Sequence, residues 1–399
     1  MFSFLRDNSD FRNFWLGQVV SQVGDRIHTL AVIWLVYTWT KSGTALGIVL
    51  IASTLPSVLI SPWAGAISDR MDRRHVAIAA DLARSVLVLA LAVLSWRNTL
   101  SMTGITIMTA LVSIASSFFN PATLAMIPSM VESKELARAN AITQLSANAS
   151  GAVGFLAGSG LIAAIGVPVA FFFNGCSFLF SAVLILKIRY HHTCSAKEQS
   201  FLSDLKDGWS VVRSIPMVSR ILGPIIFVNF LFSSLSILIP VFGEGVFRLG
   251  STGVGILLAS YTCGMFLSAL ALSTFQLRAS ISLLVTGSLL AVGSSFLAMG
   301  LVERFPLFIA ALALIGFSLN GTNICLITMF QRVIPAETRG KFFSMLTAVS
   351  LSAQPISYGI TGWLTDLVRP AGIMLVCGVL ILFCAAFIYR IMELREQYV

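Results

Sequence analysis

The sequence predicts an all-α membrane protein, with twelve transmembrane helices arranged as two pseudo-symmetric six-helix bundles. Three observations carry that prediction. Of 399 residues, 57% are hydrophobic and only 11% charged, and the mean hydropathy is +0.89; a soluble domain carries roughly 25% charged residues. Twelve apolar stretches approach or exceed the ~20 residues that cross a bilayer. They run at about 12–38, 44–68, 75–95, 102–127, 139–165, 168–188, 218–247, 252–274, 281–301, 306–331, 340–366 and 371–390. Finally, the first half of the chain is echoed in the second.

The echo sets the domain organisation. SGTALGIVLIAS from Ser42 matches GSTGVGILLASY from Gly250, with Thr44 on Thr252, Gly47 on Gly255, Ile48 on Ile256 and Leu50 on Leu258. IPSMVESKELARANA after the fourth run pairs with VIPAETRGKFF after the tenth, Pro128 falling near Pro335 and Arg138 near Arg339. Repeats in the same direction describe parallel halves, and such halves place a binding cavity at their interface near mid-bilayer. The expected domains are an N-terminal bundle (1–188), a cytoplasmic linker (189–217) and a C-terminal bundle (218–399). In the linker, Phe201, Leu202, Leu205, Trp209 and Val212 recur at helical spacing, which predicts a short amphipathic helix on the membrane surface. Prolines inside the second, fourth, seventh and eleventh runs (Pro56, Pro62, Pro121, Pro224, Pro240, Pro355) predict bent helices. Gly151, Gly154, Gly158 and Gly160 in the fifth run permit close helix packing.

The distribution of charge gives the topology. The net charge is +9, a value that a nucleic-acid partner could use. About twenty basic residues, however, fall on the side that holds the N-terminus, and five (Lys41, Arg97, Arg248, Arg304, Arg369) fall on the other. That bias follows the positive-inside rule and puts both termini in the cytoplasm; no nucleic-acid partner is expected. The first apolar run follows Arg6, Asp7, Asp10 and Arg12 and exceeds a leader's apolar core, so it reads as a retained helix.

Between the second and third runs lies GAISDRMDRR, from Gly65 to Arg74. A tight turn with five charges between two spans has to sit at a membrane surface. Glycine lets helix ends approach, and Asp69 can face a helix N-terminus. This segment resembles the signature loop of the major facilitator superfamily, although the family pattern usually has glycine where this chain has Asp72. The resemblance implies the major facilitator fold and a cytoplasmic gate formed by Gly65, Asp69, Arg70, Asp72, Arg73 and Arg74. It implies that Asp69 caps the start of the eleventh helix, near Thr338–Lys341, in the outward-open state. The second copy of the loop has decayed to QLRAS around Arg278. Asp81 and Arg84, at i,i+3 spacing just beyond the loop, are expected to form a salt bridge that belongs to the same gate.

Ionisable groups inside a bilayer are costly, so each needs a reason. The first run holds three together: Asp25, Arg26 and His28. Counted from Phe11, Asp25 lies roughly 20 Å deep at 1.5 Å per residue. Asp25, His28 and Thr29 share one helix face, and Arg26 points about 100° away. Two readings stay open: Asp25 exchanges a proton during transport, tuned by Arg26 and His28, or the three form a permanent polar patch. Glu244 and Asp366 fall near the outer ends of their runs and read as solvated gate residues.

Uncharged polar residues sketch a substrate cavity: Gln18, Gln22, Asn120, Gln144, Asn148, Asn229, Asn320, Asn323, Gln354 and Tyr358. Phe118, Phe119, Phe227, Phe230 and Phe232 are candidates for its apolar lining. Such a cavity with one deep acid suits a bulky amphipathic or weakly cationic molecule better than a sugar or phosphate ester. No phosphate-binding loop, HExxH or GxSxG occurs, so neither an enzyme nor ATP drive is expected, and no cofactor. The six cysteines show no metal spacing. His191, His192 and Cys194 are too few to make a metal site.

The opening FRNFWLGQVVSQVGD, the stretch NPATLAMIPSMVESKELARANAITQ and the turn QRVIPAETRGKFFSML are similar to the branch of the superfamily containing macrolide exporters and the enterobactin exporter. That resemblance implies export of a small molecule by proton antiport and alternating access across the bacterial inner membrane. The expected partners are a small-molecule substrate, protons and the lipid bilayer, with the chain acting as a monomer. A siderophore, lysophospholipid or metal ion as cargo, a facilitative carrier without proton coupling, and a non-transporting sensor remain open alternatives.

Overall fold

The computed structural model describes residues 2–189, 209–274 and 281–396, and among them there is no β-strand. A short helix, α1 (Phe2–Asp7), precedes α2 (Ser9–Thr40), α3 (Gly43–Arg70), α4 (Arg73–Trp96), α5 (Met102–Met130), α6 (Leu136–Ala164) and α7 (Val167–Leu186). The second half holds α8 (Pro216–Ser233), α9 (Leu235–Pro240), a π-helical turn at Val241–Val246, α10 (Gly250–Thr274), α11 (Ile281–Leu301), α12 (Phe305–Val333), α13 (Ala336–Leu367) and α14 (Pro370–Glu396). These elements match the twelve predicted runs to within a few residues, with α8, α9 and the π turn together forming the seventh. Among the described residues, eleven helical segments are long and apolar enough to cross a membrane. The remaining long helix, α13, has the length but carries more polar side chains, among them Arg339, Lys341, Gln354 and Asp366. Most of the proposed linker helix, together with His191, His192, Cys194 and the loop around Arg278, lies outside the described residues.

Local sequence explains the breaks. Lys41 ends α2 in the left-handed conformation with its N–H on the Tyr37 carbonyl. Ser101 caps α5 by accepting from the Gly104 amide at 3.1 Å. Gly166, at φ +104°, makes the turn into α7 that a side chain would strain. Beyond Pro240 the helix widens into the π turn, and Phe247 N–H donates to the Phe242 carbonyl at 2.8 Å. The α1 helix gives no transmembrane signal, yet Phe4 and Leu5 are buried in the apolar cluster at the N-terminal ends of α2, α4 and α6 and the C-terminal ends of α5 and α7.

The chain forms two compact units, Met1–Lys41 with Ile48–Lys197 and Arg248–Ala259, and Ser42–Gly47 with Glu198–Phe247 and Ser260–Val399. In the first, α7 packs on α2 and α4, α4 on α5, and α2 on α6. In the second, α14 packs on α8 and α11, α11 on α12, and α8 on α13. The two patterns are the same once the first six runs are matched in order to the last six, so the sequence echo is also an echo of packing. Side chains such as Val86, Leu301 and Phe383 stay more than two-thirds exposed, as expected of helices whose outer faces meet hydrocarbon.

Two close approaches fix helices that matter below. Gly24 lies so near Asn174 and Ser177 of α7 that a Cβ would collide with both side chains. In the second unit, Asp366 at the end of α13 accepts hydrogen bonds from Ser42 Oγ (2.7 Å), Gly43 N (2.7 Å) and Thr44 N (3.1 Å). Ser42 Oγ accepts from Ala45 N at 3.2 Å. The first amides of α3, which have no partner within the helix, are thereby satisfied by one hydroxyl and a carboxylate from far along the chain. Asp366, expected as a solvated gate residue, is exposed and caps a helix.

Gly24→Val should cost about 1–3 kcal/mol through overpacking against α7, read as a lower melting midpoint of the detergent-solubilised protein. Asp366→Ala should cost about 0.5–2 kcal/mol, the usual value of a lost N-cap. Asp366→Asn, which keeps an acceptor oxygen, should retain part of that in the same measurement.

Candidate functional site

On α2 the polar residues divide between two faces. Gly24, Asp25 and His28 turn toward α4 and α7: Gly24 abuts Asn174, and the His28 ring lies 5.2 Å from the Phe171 ring in a buried position. Asp25 is half-buried, with Asn174 facing it and the charges of Arg84 and Arg26 within electrostatic reach. The Nδ2 of Asn174 is buried without a hydrogen-bond partner. Arg26 leaves on the α6 side, its stem against Gly154 and its guanidinium 5.8 Å from the Phe155 ring centre. Trp15, on that same side, donates to Ser146 Oγ at 2.7 Å.

Arg84 is the most deeply embedded cation among the described residues. It is 4% exposed, ion-paired with the fully buried Asp81, and held with its guanidinium 3.9 Å from the Phe119 ring centre and 4.3 Å from that of Phe178. A cation between two desolvated aromatic faces gains from both quadrupoles, and the planar guanidinium is the group that can stack this way. The i,i+3 salt bridge expected from spacing is present and lies inside the bundle. Phe119, Phe178, Asn174 and Ser181 belong to this constellation. Phe119 is a candidate for a substrate lining by sequence, and nothing in composition or spacing marks the other three.

The signature loop is tied to its own unit. Asp72 caps α4 by accepting from Arg74 N at 2.9 Å, and His75 Nδ1 lies 3.3 Å from its other oxygen. An acid at the usual glycine position therefore has a local task. Arg74 donates to the carbonyls of Ile185 and Leu186, placing positive charge at the C-terminus of α7. Arg73 donates to the Ala125 carbonyl of α5 at 3.4 Å. Gly65 has open space where a Cβ would stand, and Arg70 is exposed. The side chain of Asp69 lies outside the described residues.

The predicted amide set separates into groups. Asn229 of α8 and Asn320 and Asn323 of α12 line one cavity of about 410 Å³ in the second unit. Phe232, Tyr261, Met265, Phe330, Phe343 and Leu346 supply much of its apolar wall, Thr322, Thr347 and Ser350 add hydroxyls, and among the described residues no charged side chain lines it. Asn320 also donates to the Met265 carbonyl at 3.1 Å, pinning α12 to α10. Phe227 and Phe230, stacked 6.1 Å apart, line a separate cavity of about 300 Å³ with α13 and α14. Phe118 packs on the apolar cluster of the first unit that also holds Phe4 and Leu5. Gln354 is half-buried outside both cavities, and Tyr358 is buried, its carbonyl against Gly47. In the first unit, Gln18 Nε2, Gln22 Oε1 and Asn148 Nδ2 are buried without hydrogen-bond partners, and Asn120 and Gln144 are exposed.

This geometry has recognisable relatives. The profile of the transmembrane secretion effector family, within the major facilitator superfamily, matches residues 2–398. Macrolide efflux protein A of Streptococcus pyogenes is 24% identical over 393 residues, covering 97% of this chain and 96% of that protein. Multidrug efflux pump Tap of Mycolicibacterium fortuitum is 23% identical over 354 residues, covering 86% of each. Among solved structures, a bacterial homologue of the human lysosomal transporter Spinster superposes with a TM-score of 0.76 at 14% identity over 96% of both chains. A bacterial homologue of the iron transporter ferroportin does so at 0.75 and 15%, covering 96% of this chain and 98% of that one. The chain is a multi-pass membrane transporter of the major facilitator superfamily and belongs to its transmembrane secretion effector family.

Proposed function

We propose that this transporter exports a bulky amphipathic small molecule, of macrolide or drug type, across the bacterial inner membrane by proton antiport and alternating access. The observation that carries the cargo class is the uncharged cavity lined by Asn229, Asn320 and Asn323. Its volume of about 410 Å³ falls in the range of small-molecule sites, in which apolar walls supply affinity and a few polar groups fix orientation. A phosphate ester would call for arginine forks, and the lining offers none. The names of the efflux relatives, aligned over nearly the whole chain, support the same cargo class.

In this reading Asp25 takes a proton from outside as cargo leaves and releases it to the cytoplasm to reset the carrier. Arg26 and His28 tune its charge. Gln18, Gln22, Asn120, Gln144 and Asn148, with Gln354 and Tyr358, supply further polar positions along the route. The loop from Gly65 to Arg74, with Asp69 as its latch, closes the cytoplasmic side. The chain works as a monomer of two bundles, 1–188 and 218–399, with both termini in the cytoplasm.

In proteoliposomes with an imposed pH gradient, the wild type should accumulate a radiolabelled macrolide against its gradient. Asp25→Asn should abolish that accumulation while leaving equilibrium binding of the same macrolide measurable. Undiminished uphill transport by Asp25→Asn would remove this carboxylate from the mechanism. Asn323→Leu should weaken macrolide binding by about 2- to 10-fold, the equivalent of roughly 0.5–1.5 kcal/mol for one net hydrogen bond. Unchanged affinity would place the cargo elsewhere.

A further inference from the structure

The cavity of about 300 Å³ formed by α8, α13 and α14 stands apart from the one assigned to cargo. Phe227 and Phe230, stacked 6.1 Å apart, give it a flat aromatic wall. Ile360, Val368 and Val376 also line it and are exposed. It therefore opens to the outside of the unit, where an apolar span such as α14 meets hydrocarbon. We propose that this crevice holds one acyl chain of an anionic phospholipid whose phosphate sits at Arg369.

The walls decide against water. Among the described residues, the polar side chains of the lining are Ser234, Ser357, Thr361 and Cys377. Two are already engaged: Ser234 Oγ donates to the Leu231 carbonyl at 2.6 Å and Ser357 Oγ to that of Phe230 at 2.7 Å. A buried water needs about 2–4 polar partners, and this lining is poor in them. Bare space would forfeit the dispersion contacts of the aromatic and aliphatic walls. A hydrocarbon chain restores those contacts. Lipid tails are as apolar as the walls, so hydrophobicity selects no particular lipid. Shape and charge do.

The crevice starts at the turn between α13 and α14, where Val368 and Gly372 line it, and reaches Leu380. From Gly372 to Leu380 the helix rises about 12 Å, close to the ~15 Å of hydrocarbon in one leaflet. Arg369 stands at the interfacial end of that path, between Val368 and the first residue of α14, and is exposed. Its carbonyl accepts from the Gly372 amide at 2.9 Å, which holds the turn beside the mouth. Asp366, the nearest acid in the chain, is occupied by Ser42, Gly43 and Thr44. A guanidinium in this place, beside the positive end of α14, favours a phosphate that carries no compensating ammonium.

The test uses the full chain in phosphatidylcholine nanodiscs with a trace of phosphatidylglycerol that carries a diazirine in one acyl chain. After illumination, peptide mapping should find adducts concentrated between Ile360 and Leu380, above lipid-facing positions such as Val86 and Leu301. Unlabelled phosphatidylglycerol should compete, and glycerol phosphate, which has the head without the tails, should not. Gly372→Leu adds a side chain at the mouth, where a Cβ meets nothing within 4 Å, and should remove the concentration of adducts. Arg369→Gln, a surface change, should keep the adducts but lower the preference for the glycerol over the choline head about 5-fold, one basic residue's share of attraction to anionic lipid. Uniform labelling of the wild type, or labelling unchanged in both variants, would overturn the proposal. Competition by glycerol phosphate as strong as by the intact lipid would overturn it too, leaving an anion site without a tail. No arm reads cargo or protons, so the result is independent of the export reading.

Discussion

A charge inside hydrocarbon has to be matched on the spot, and in this protein the charge that organises its surroundings is Arg84. Its guanidinium takes two aromatic faces, from α5 and α7, and a carboxylate from its own helix. Three helices are thus fixed in rotation by one side chain, because turning any of them would strip a partner from a desolvated cation. The fourth helix, α2, comes close enough to join them because Gly24 leaves room against Asn174 and Ser177. Asp25 is the next residue. A close approach of α2 to α7 is thus also where the deep acid enters the electrostatic field of Arg84.

The two halves share their helix-packing pattern and differ in what they bury. In the first, a charged pair, Asp81 and Arg84, is buried among hydroxyls and the amides of Asn148 and Asn174. In the second, the cavity carries amides and hydroxyls among aromatic and aliphatic walls. A duplicated scaffold allows this division, since packing is met by the repeated small and apolar positions while interior polar positions are free to diverge. The loops diverge likewise. The first copy of the signature loop carries five charges, three of which bond carbonyls or a helix N-terminus of their own unit, and the sequence of the second, QLRAS, keeps one charge, Arg278.

Much of the architecture is legible in the sequence, because a bilayer imposes a length and a polarity that composition alone reveals. Span positions, prolines within helices and the repeat all fall where apolar runs and matched motifs put them. The i,i+3 pair Asp81–Arg84 is legible too, since helical spacing is local. Pairings that depend on rotation between helices are not. Nothing in the sequence says that Phe119 and Phe178 face each other across Arg84, that Asp25 turns toward α4, or that Asp366 reaches the α3 N-terminus. The amide residues show the same limit. Asn229, Asn320 and Asn323 converge, while Gln354 and Tyr358, equally polar and equally placed by depth, point elsewhere. The α1 helix escapes for a different reason: six residues of mixed polarity carry no spanning signal, and its role is to fill an apolar end.

The central claim is that cargo and protons move through this protein in obligatory exchange. Coupling of that kind is reciprocal, so it can be driven from the cargo side. Proteoliposomes preloaded with macrolide, diluted into cargo-free medium with no initial pH difference and containing a trapped pH dye, provide the measurement. Obligatory exchange predicts that outward cargo flow acidifies the lumen and that the acidification vanishes with an uncoupler. Cargo efflux at full rate with a silent dye would contradict the account.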